Sequence, residues 1–289
     1  MSIPQTTFSE SDIRSLEPAM KIGILGTVTP EGLPHLTMIS TLKACSLKRI
    51  CFGQFIEGRS KQHLRENPKA GWLIMTLDRS LWRGAARFSH TVNSGPDFDF
   101  YNNTPLFRYN AYFGIHTVYY LDLLFHTGKS PLPMNAVVFA TLRTMLARSL
   151  AKSQPASHKT QPAPQPINPW TQSFLNRLST LKFIGYLNKN GYPQIIPAIQ
   201  AQAAGPEQIV FAASPYQEEL ADIPAGAPLA VFGLSLEMED VLLRGRFNGL
   251  QRIGGQHCGS VTIDWAYNAM PPVPGQIYPP LPLETVTEF

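Results

Sequence analysis

ICFGQFIEGRSKQHLRENP, residues 50–68, holds the turn on which the reading of this chain depends. Ile50-Cys51-Phe52 is a short apolar run and reads as the end of a buried strand. Gln54 to Gly58 is a loop. Arg59-Ser60-Lys61 follows, and an amphipathic run continues to Asn67-Pro68. Proline disfavours helical geometry in the residue before it, so the helix is predicted to end near Glu66. Arg59, Ser60 and Lys61 then occupy its first turn. Backbone N–H groups there lack helical partners, and the peptide dipoles leave a partial positive charge. Two cations and a hydroxyl at that place suit a phosphate. They also suit a solvated basic helix start, and this stretch alone leaves both readings open.

Upstream, Ser9-Glu10-Ser11-Asp12 starts a short helix ending before Gly23, with Ser9 or Ser11 as its cap. Ile22–Val28 is an apolar strand. Thr29-Pro30-Glu31-Gly32 is a turn, since Pro presets the first bend and Gly accepts positive φ. His35–Leu42 is predicted as the return strand, Lys43–Lys48 as a connection and Arg49–Gly53 as a third strand. Ala70–Leu77 and Trp82–Ser89 follow as the fourth and fifth. Short strands at this spacing with turn signals suggest an antiparallel barrel or sandwich.

The chain has 289 residues, enough for two domains of ordinary size. Its hydrophobic fraction of 44% suffices for real cores. A formal charge of +4 is too small to mark a nucleic-acid surface. No apolar run approaches a bilayer span, so no membrane contact is expected. MSIPQTTFSESD lacks a basic region followed by an apolar core, so no secretory signal is expected. Cys45, Cys51 and Cys258 match no metal-ligand spacing and no disulfide framework. A cytoplasmic protein with free thiols is the expectation.

Residues 95–134 are rich in aromatics, among them Phe98, Tyr101, Tyr109, Tyr112, Tyr119 and Tyr120. Without matching Lys and Arg they are not a single-strand nucleic-acid platform, and packing is their expected role. Arg108, Tyr109, Tyr112 and His116 either pack or line a pocket. Asn135–Lys152 places Val138, Leu142, Met145, Leu146 and Leu150 at helical spacing. Ser153–Pro169 is proline-rich and reads as a linker. Beyond it the first part recurs at an offset of 159: Gly26 falls on Gly185, Gly32 on Gly191, Pro34 on Pro193, Ile50 on Ile209, Phe52 on Phe211, Arg87 on Arg246 and Phe88 on Phe247. A constant offset across several strands and turns reads as a duplicated domain. Gly58-Arg59-Ser60-Lys61 maps onto Gln217-Glu218-Glu219-Leu220, so the second copy carries acid where the first carries base. That reversal favours an anion site in the first copy alone. The tail from Met270 to Phe289 holds six prolines and cannot form a central strand.

The order of these pieces resembles a family. The Pro-Glu-Gly-Leu-Pro turn between strands, Arg49-Ile50-Cys51-Phe52-Gly53, Gly58-Arg59-Ser60-Lys61, Leu64-Arg65-Glu66-Asn67-Pro68 and a strand carrying Trp82-Arg83-Gly84 are similar to the pyridoxamine 5′-phosphate oxidase-like FMN-binding split β-barrels. The likeness covers residues 20–90 and, more weakly, 180–250. It implies a mainly β fold with short helices: two tandem antiparallel split β-barrel domains. The expected divisions are 1–94 for an FMN-binding barrel and 95–152 for the aromatic segment and helix. The linker takes 153–169, a second barrel without a site 170–269, and the tail 270–289. The resemblance implies FMN as cofactor, with Arg59, Ser60 and Lys61 at its phosphate. Thr37, Met38, Ile39 and Ser40 would flank the ring from the second strand, largely through backbone, and Phe52 and Gln54 from the third. Ser60 stands where the family commonly has a second cation, with Lys61 one residue later. The family's aromatic-hydroxyl pair here reads Gly53-Gln54.

What this implies is an FMN-dependent oxidoreductase acting on a small redox substrate, as a homodimer or an internal pseudo-dimer of the two barrels. The alternative is a binding module without turnover, a carrier or redox sensor holding flavin, deazaflavin or haem. A barrel acting only through protein contacts is the third reading, which the basic triplet disfavours. No acid–base constellation stands out. His35, His63 and His90 lie near the predicted barrel ends, where single histidines are commonly structural.

Overall fold

The structure is a computed structural model, and it describes residues 4–106, 114–132, 165–214, 216–237, 239–253, 256–268 and 275–282. The helix expected over 135–152 and the linker over 153–164 lie outside the described residues. So do Arg108, Tyr109 and Tyr112. The chain divides into two compact units, and its strands form two separate sheets. Among the described residues no helix is long and apolar enough to cross a membrane.

The first unit opens with α1 (Glu10–Leu16). Ser9 caps it: its hydroxyl accepts from the Asp12 N–H at 3.1 Å, and the Asp12 carboxylate accepts from the Ser9 N–H at 3.0 Å. That reciprocal pair satisfies two donors that helix geometry leaves open. Asp12 also accepts from Trp82 Nε1 at 2.8 Å, which fastens the helix to the barrel wall. Then come β1 (Lys21–Val28), β2 (Pro34–Met38), β3 (Lys43–Ser46), β4 (Arg49–Gln54), α2 (Arg59–Glu66), β5 (Lys69–Thr76), β6 (Ser80–Val92), α3 (Pro96–Asn103), β7 (Thr117–His126) and β8 (Ser130–Pro131). The sheet order is β2-β1-β5-β6-β7-β4-β3, antiparallel at every pairing, with β8 on β6.

The second sheet and its helices are α4 (Pro169–Asn176), β9 (Leu181–Leu187), β10 (Pro193–Pro197), β11 (Gln202–Ala203), β12 (Gln208–Ala212), α5 (Gln217–Ala221), β13 (Pro228–Leu234), β14 (Asp240–Ile253), β15 (Gln256–Asn268) and β16 (Gly275–Tyr278). Its sheet order, β10-β9-β13-β14-β15-β12-β11, repeats the first strand for strand, with β16 on β15. The protein is thus mainly β, two tandem split antiparallel barrels with short helices. Lys182, buried on β9, donates to the Leu175 and Arg177 carbonyls at 3.1 and 3.2 Å, placing a cation at the negative end of α4.

The duplication extends to individual hydrogen bonds. Gly32 N–H reaches Thr29 O at 2.9 Å and Gly191 N–H reaches Asn188 O at 2.8 Å, and both glycines sit at φ 74°. Leu33 N–H reaches the Thr29 hydroxyl, and Tyr192 N–H the Asn188 side chain. Each barrel has its own aromatic core. In the first, Phe52 stacks on Tyr119 at 5.0 Å, and Phe88 lies 5.8 Å from the same ring. In the second, Phe211 and Phe247 meet directly at 6.3 Å. Gly259 stands opposite Phe211 as Tyr119 stands opposite Phe52. A Cβ at Gly259 would lie 2.4 Å from the Phe211 ring. Each such buried ring contributes about 1.5–3 kcal/mol of transfer free energy.

Three expectations change. The return strand ends at Met38, not Leu42: Ile39 makes a last in-register bond, its N–H to Gly23 O at 2.8 Å, and the chain then turns, with Leu42 N–H on Ile39 O at 3.2 Å. The expected connection at 43–48 contains β3, which pairs with β4. The first sheet runs past residue 94, where the first domain was expected to end: β7, from the aromatic segment, lies between β6 and β4. Packing as the role of those aromatics fits Tyr101 and Tyr119, which are both buried. In the tail, β16 joins the sheet only on β15, off the main strand path.

The positive φ of Gly32 gives a clean test, because a Cβ there meets nothing within 4 Å. Gly32→Ala is expected to cost about 1–2 kcal/mol from backbone strain alone. Gly32→Asn should cost less, since Asn tolerates the left-handed region. Urea unfolding of the two variants against the parent measures both.

Candidate functional site

α2 forms where the sequence placed it, from Arg59 to Glu66, and Asn67 N–H closes its end on His63 O at 2.7 Å. Ser60, His63 and Leu64 are buried, the i, i+3, i+4 stripe of a helix laid on a barrel. Beneath it, the Thr27 hydroxyl and His63 Nδ1 are 3.1 Å apart, and the His35 and His63 rings meet edge-on at 4.9 Å. The two histidines therefore pack as a pair that holds α2 against the β1–β2 hairpin.

The N-terminal end of α2 is built differently. Gly58 supplies no capping side chain. Lys61 folds back over this end: its Nζ donates to Ile56 O at 3.0 Å and lies 3.6 Å from where a Gly58 Cβ would stand. Burial lowers the Lys61 ammonium to about 8, against the opposing pull of Glu57. Ser60 is 2% exposed, and its hydroxyl has no hydrogen-bond partner. A buried orphan hydroxyl costs about 1–3 kcal/mol, so something should occupy it. Arg59 is exposed. Glu57, the nearest acid in sequence, is held by Arg65 at 2.7 Å, and Arg65 also donates to the Tyr119 hydroxyl at 3.0 Å.

The remaining expected ring contacts divide into two groups. Thr37 and Met38, at the end of β2, and Ser40 beyond it are half-buried. Gln54 is buried at the end of β4, four residues before Gly58. Ile39 and Phe52 have their side chains in the first core, which leaves only their backbone to face a ligand. At the equivalent place in the second barrel, α5 is a five-residue helix. Glu218 and Glu219 lie in its first turn, Glu219 accepts from the Tyr186 hydroxyl at 2.7 Å, and Leu220 is in the core where Lys61 would stand. A separate surface cleft of about 310 Å³, lined by Ser15, Thr76, Trp82 and Lys129 among others, shares no residue with α2.

A second polar group in the first barrel escaped the sequence. Cys45, Cys51 and Asp97 converge, with Tyr101 and Lys43 beside them. Asp97 is on α3, far along the chain from both cysteines, so no spacing rule joins the three.

No family model matches the chain, and no curated protein matches it. Solved structures do. An FMN-binding protein from Syntrophomonas wolfei subsp. wolfei is 16% identical at TM-score 0.35, covering 42% of this chain and 86% of that one. An F420 reductase is 18% identical at TM-score 0.31, covering 43% and 98%. A pyridoxamine 5′-phosphate oxidase-related, FMN binding protein from Nostoc punctiforme is 12% identical at TM-score 0.23, covering 88% and 91%.

Lys61 yields a pH prediction. Its folded pKa lies below the ordinary 10.5, so between about 8 and 10.5 the unfolded chain binds more protons and stability from this group rises with pH. The penalty for its charge is complete below pH 8 and absent above 10.5. Lys61→Met is therefore expected to be more stable than the parent at pH 7, with the gap closing across that window. Urea midpoints of both proteins at pH 7, 9 and 10.5 check it, and the difference cancels the tyrosines that titrate in the same range.

Proposed function

We propose that the first barrel binds FMN with its phosphate at the start of α2, and that the protein is an FMN-dependent oxidoreductase acting on a small redox substrate. One observation carries this reading. A half-buried lysine folded back over the turn and an orphan buried hydroxyl share the first turn of a helix with no side-chain cap, and the duplicate barrel has acid and leucine there instead. A phosphate dianion fits these groups: it would pair with Lys61, accept from Ser60 and take the open N–H groups of the first turn. Arg59, on the exposed side of the same turn, adds a second cation. The side chain of Gly58 is absent where the anion would approach.

Bound FMN would supply the electron-transfer chemistry. The chain would position it. Thr37, Met38 and Ser40 from the second strand and Gln54 from the fourth would edge the ring, with backbone groups of Ile39 and Phe52 between them. The Phe52–Tyr119 stack fixes β4 against β7 and hence the root of the loop leading to Gly58. Arg65 ties Glu57 to Tyr119, which keeps that carboxylate occupied next to the proposed anion.

Flavin fluorescence titration tests the reading, with riboflavin as the ligand that lacks only the phosphate. FMN is expected to bind the parent more tightly than riboflavin does. Arg59→Glu and Lys61→Met should each weaken FMN by about tenfold to a hundredfold, the loss of one charge-assisted contact, and leave riboflavin unchanged. Gln217→Ala should change neither. Equal FMN affinity in all variants would remove α2 from the site. A parent that takes a deazaflavin or haem but no FMN would replace the cofactor. Anaerobic bleaching of the bound flavin by NADH or NADPH, followed by reoxidation, tests turnover.

A further inference from the structure

We infer that the first barrel carries a binding site for one thiophilic divalent cation, Zn2+ in the first instance, formed by Cys45, Cys51 and Asp97 where α3 packs on β3 and β4. The ligand atoms of these three residues all lie within 4.8 Å of one another. Two thiolates at about 2.3 Å from one ion stand about 3.8 Å apart, so little movement would bring them into a tetrahedral shell. The Tyr101 hydroxyl, 3.4 Å from the Cys51 sulfur, stands beside the remaining corner. Cys51 and Tyr101 are buried, and Cys45 is half-buried, which leaves the ion a way in.

The surroundings match an outer shell for such an ion. Asp97 is oriented from both sides, by Lys43 Nζ at 2.9 Å and by the Tyr120 hydroxyl at 2.8 Å. Tyr101 is fixed by donating to Thr41 O at 2.8 Å. Partners of this kind hold ligands in place and tune them. Charge also balances. Each thiol gives up its proton to solvent as the cation enters, so one Zn2+ replaces two protons and the net charge of the buried site does not change. The Lys43–Asp97 pair can therefore remain.

Cys51 pairs with Lys43, and Cys45 lies two residues further, inside a bulge between Ala44 and Ser46, which turns its sulfur toward that of Cys51. The duplicate barrel supplies the contrast. At the offset of 159, Lys43, Cys45 and Cys51 become Gln202, Ala204 and Val210. The connection that carries α3 and Asp97 shrinks to two residues between β14 and β15. Every member of the constellation is missing together.

The test is titration of the full chain, chelator-treated and reduced, with Co2+. The parent is expected to bind one equivalent with a thiolate-to-cobalt charge-transfer band, which Zn2+ then abolishes. Cys45→Ala and Cys51→Val, the residues the second barrel already tolerates, should lose the band. Cys258→Ser should keep it. Tyr120→Phe, with all ligands intact, should bind about tenfold to a hundredfold more weakly. No band in the parent at stoichiometric Co2+ overturns the site, as does a band that survives the Cys45→Ala, Cys51→Val double variant. Recovery of a Cys45–Cys51 disulfide peptide after mild oxidation, in protein that binds no metal, would assign the pair to thiol redox chemistry instead.

Discussion

One backbone bond ends the edge hairpin of each barrel. Ile39 gives its N–H to Gly23 O at 2.8 Å, and in the second unit Ala198 gives its N–H to Lys182 O at 2.8 Å. Leaving such a buried donor unpaired would cost about 1–3 kcal/mol. Past that bond the chain turns, Leu42 N–H on Ile39 O at 3.2 Å and Ala201 N–H on Ala198 O at 2.7 Å, and passes to the opposite edge of its sheet. A side chain completes the crossing in both copies. The Thr41 hydroxyl reaches Gly53 O at 2.8 Å, and the Gln200 amide reaches Ala212 O at 2.8 Å. These bonds set where β4 and β12 end, and so where the loops to α2 and α5 begin.

With the frame held constant, the two barrels diverge at places the frame does not need. Lys61 and Ser60 give way to Leu220 and Glu219, so a desolvated cation becomes a core residue and an orphan hydroxyl becomes an ion with its own tyrosine partner. Tyr119 gives way to Gly259, and the two flanking phenylalanines then meet directly. The connection after the sixth strand is long in the first barrel and two residues in the second. Both candidate sites of the molecule lie on the first copy: the α2 start, and the thiols and carboxylate under α3. The second copy holds the same topology with Leu220, Ala204 and Val210 at the places of Lys61, Cys45 and Cys51, and Gln202 and Glu219 at those of Lys43 and Ser60.

Sequence by itself determined the duplication, the turn at Gly32, the limits of α2 and the reversal of charge between copies. Each of these is local or periodic: a proline that stops a helix, a glycine at positive φ, a fixed offset. It also put the aromatic segment in packing roles. Tertiary structure decided the rest. β7 hides in that segment because its burial follows no simple alternation, running through intermediate, buried and exposed positions along TVYYLDLLFH. The end of β2 at Met38 was invisible because apolar Ile39 and Leu42 continue the pattern through the turn that ends the strand. Sequence could place Arg59, Ser60 and Lys61 in one turn. It could not say that Ser60 faces the barrel, that Lys61 folds back on Ile56 O or that Ile39 and Phe52 belong to the core, because those directions are set by what packs above and below. Cys51 and Asp97 meet only because α3 lies across β3 and β4, a proximity made by three-dimensional packing between residues that no spacing along the chain connects.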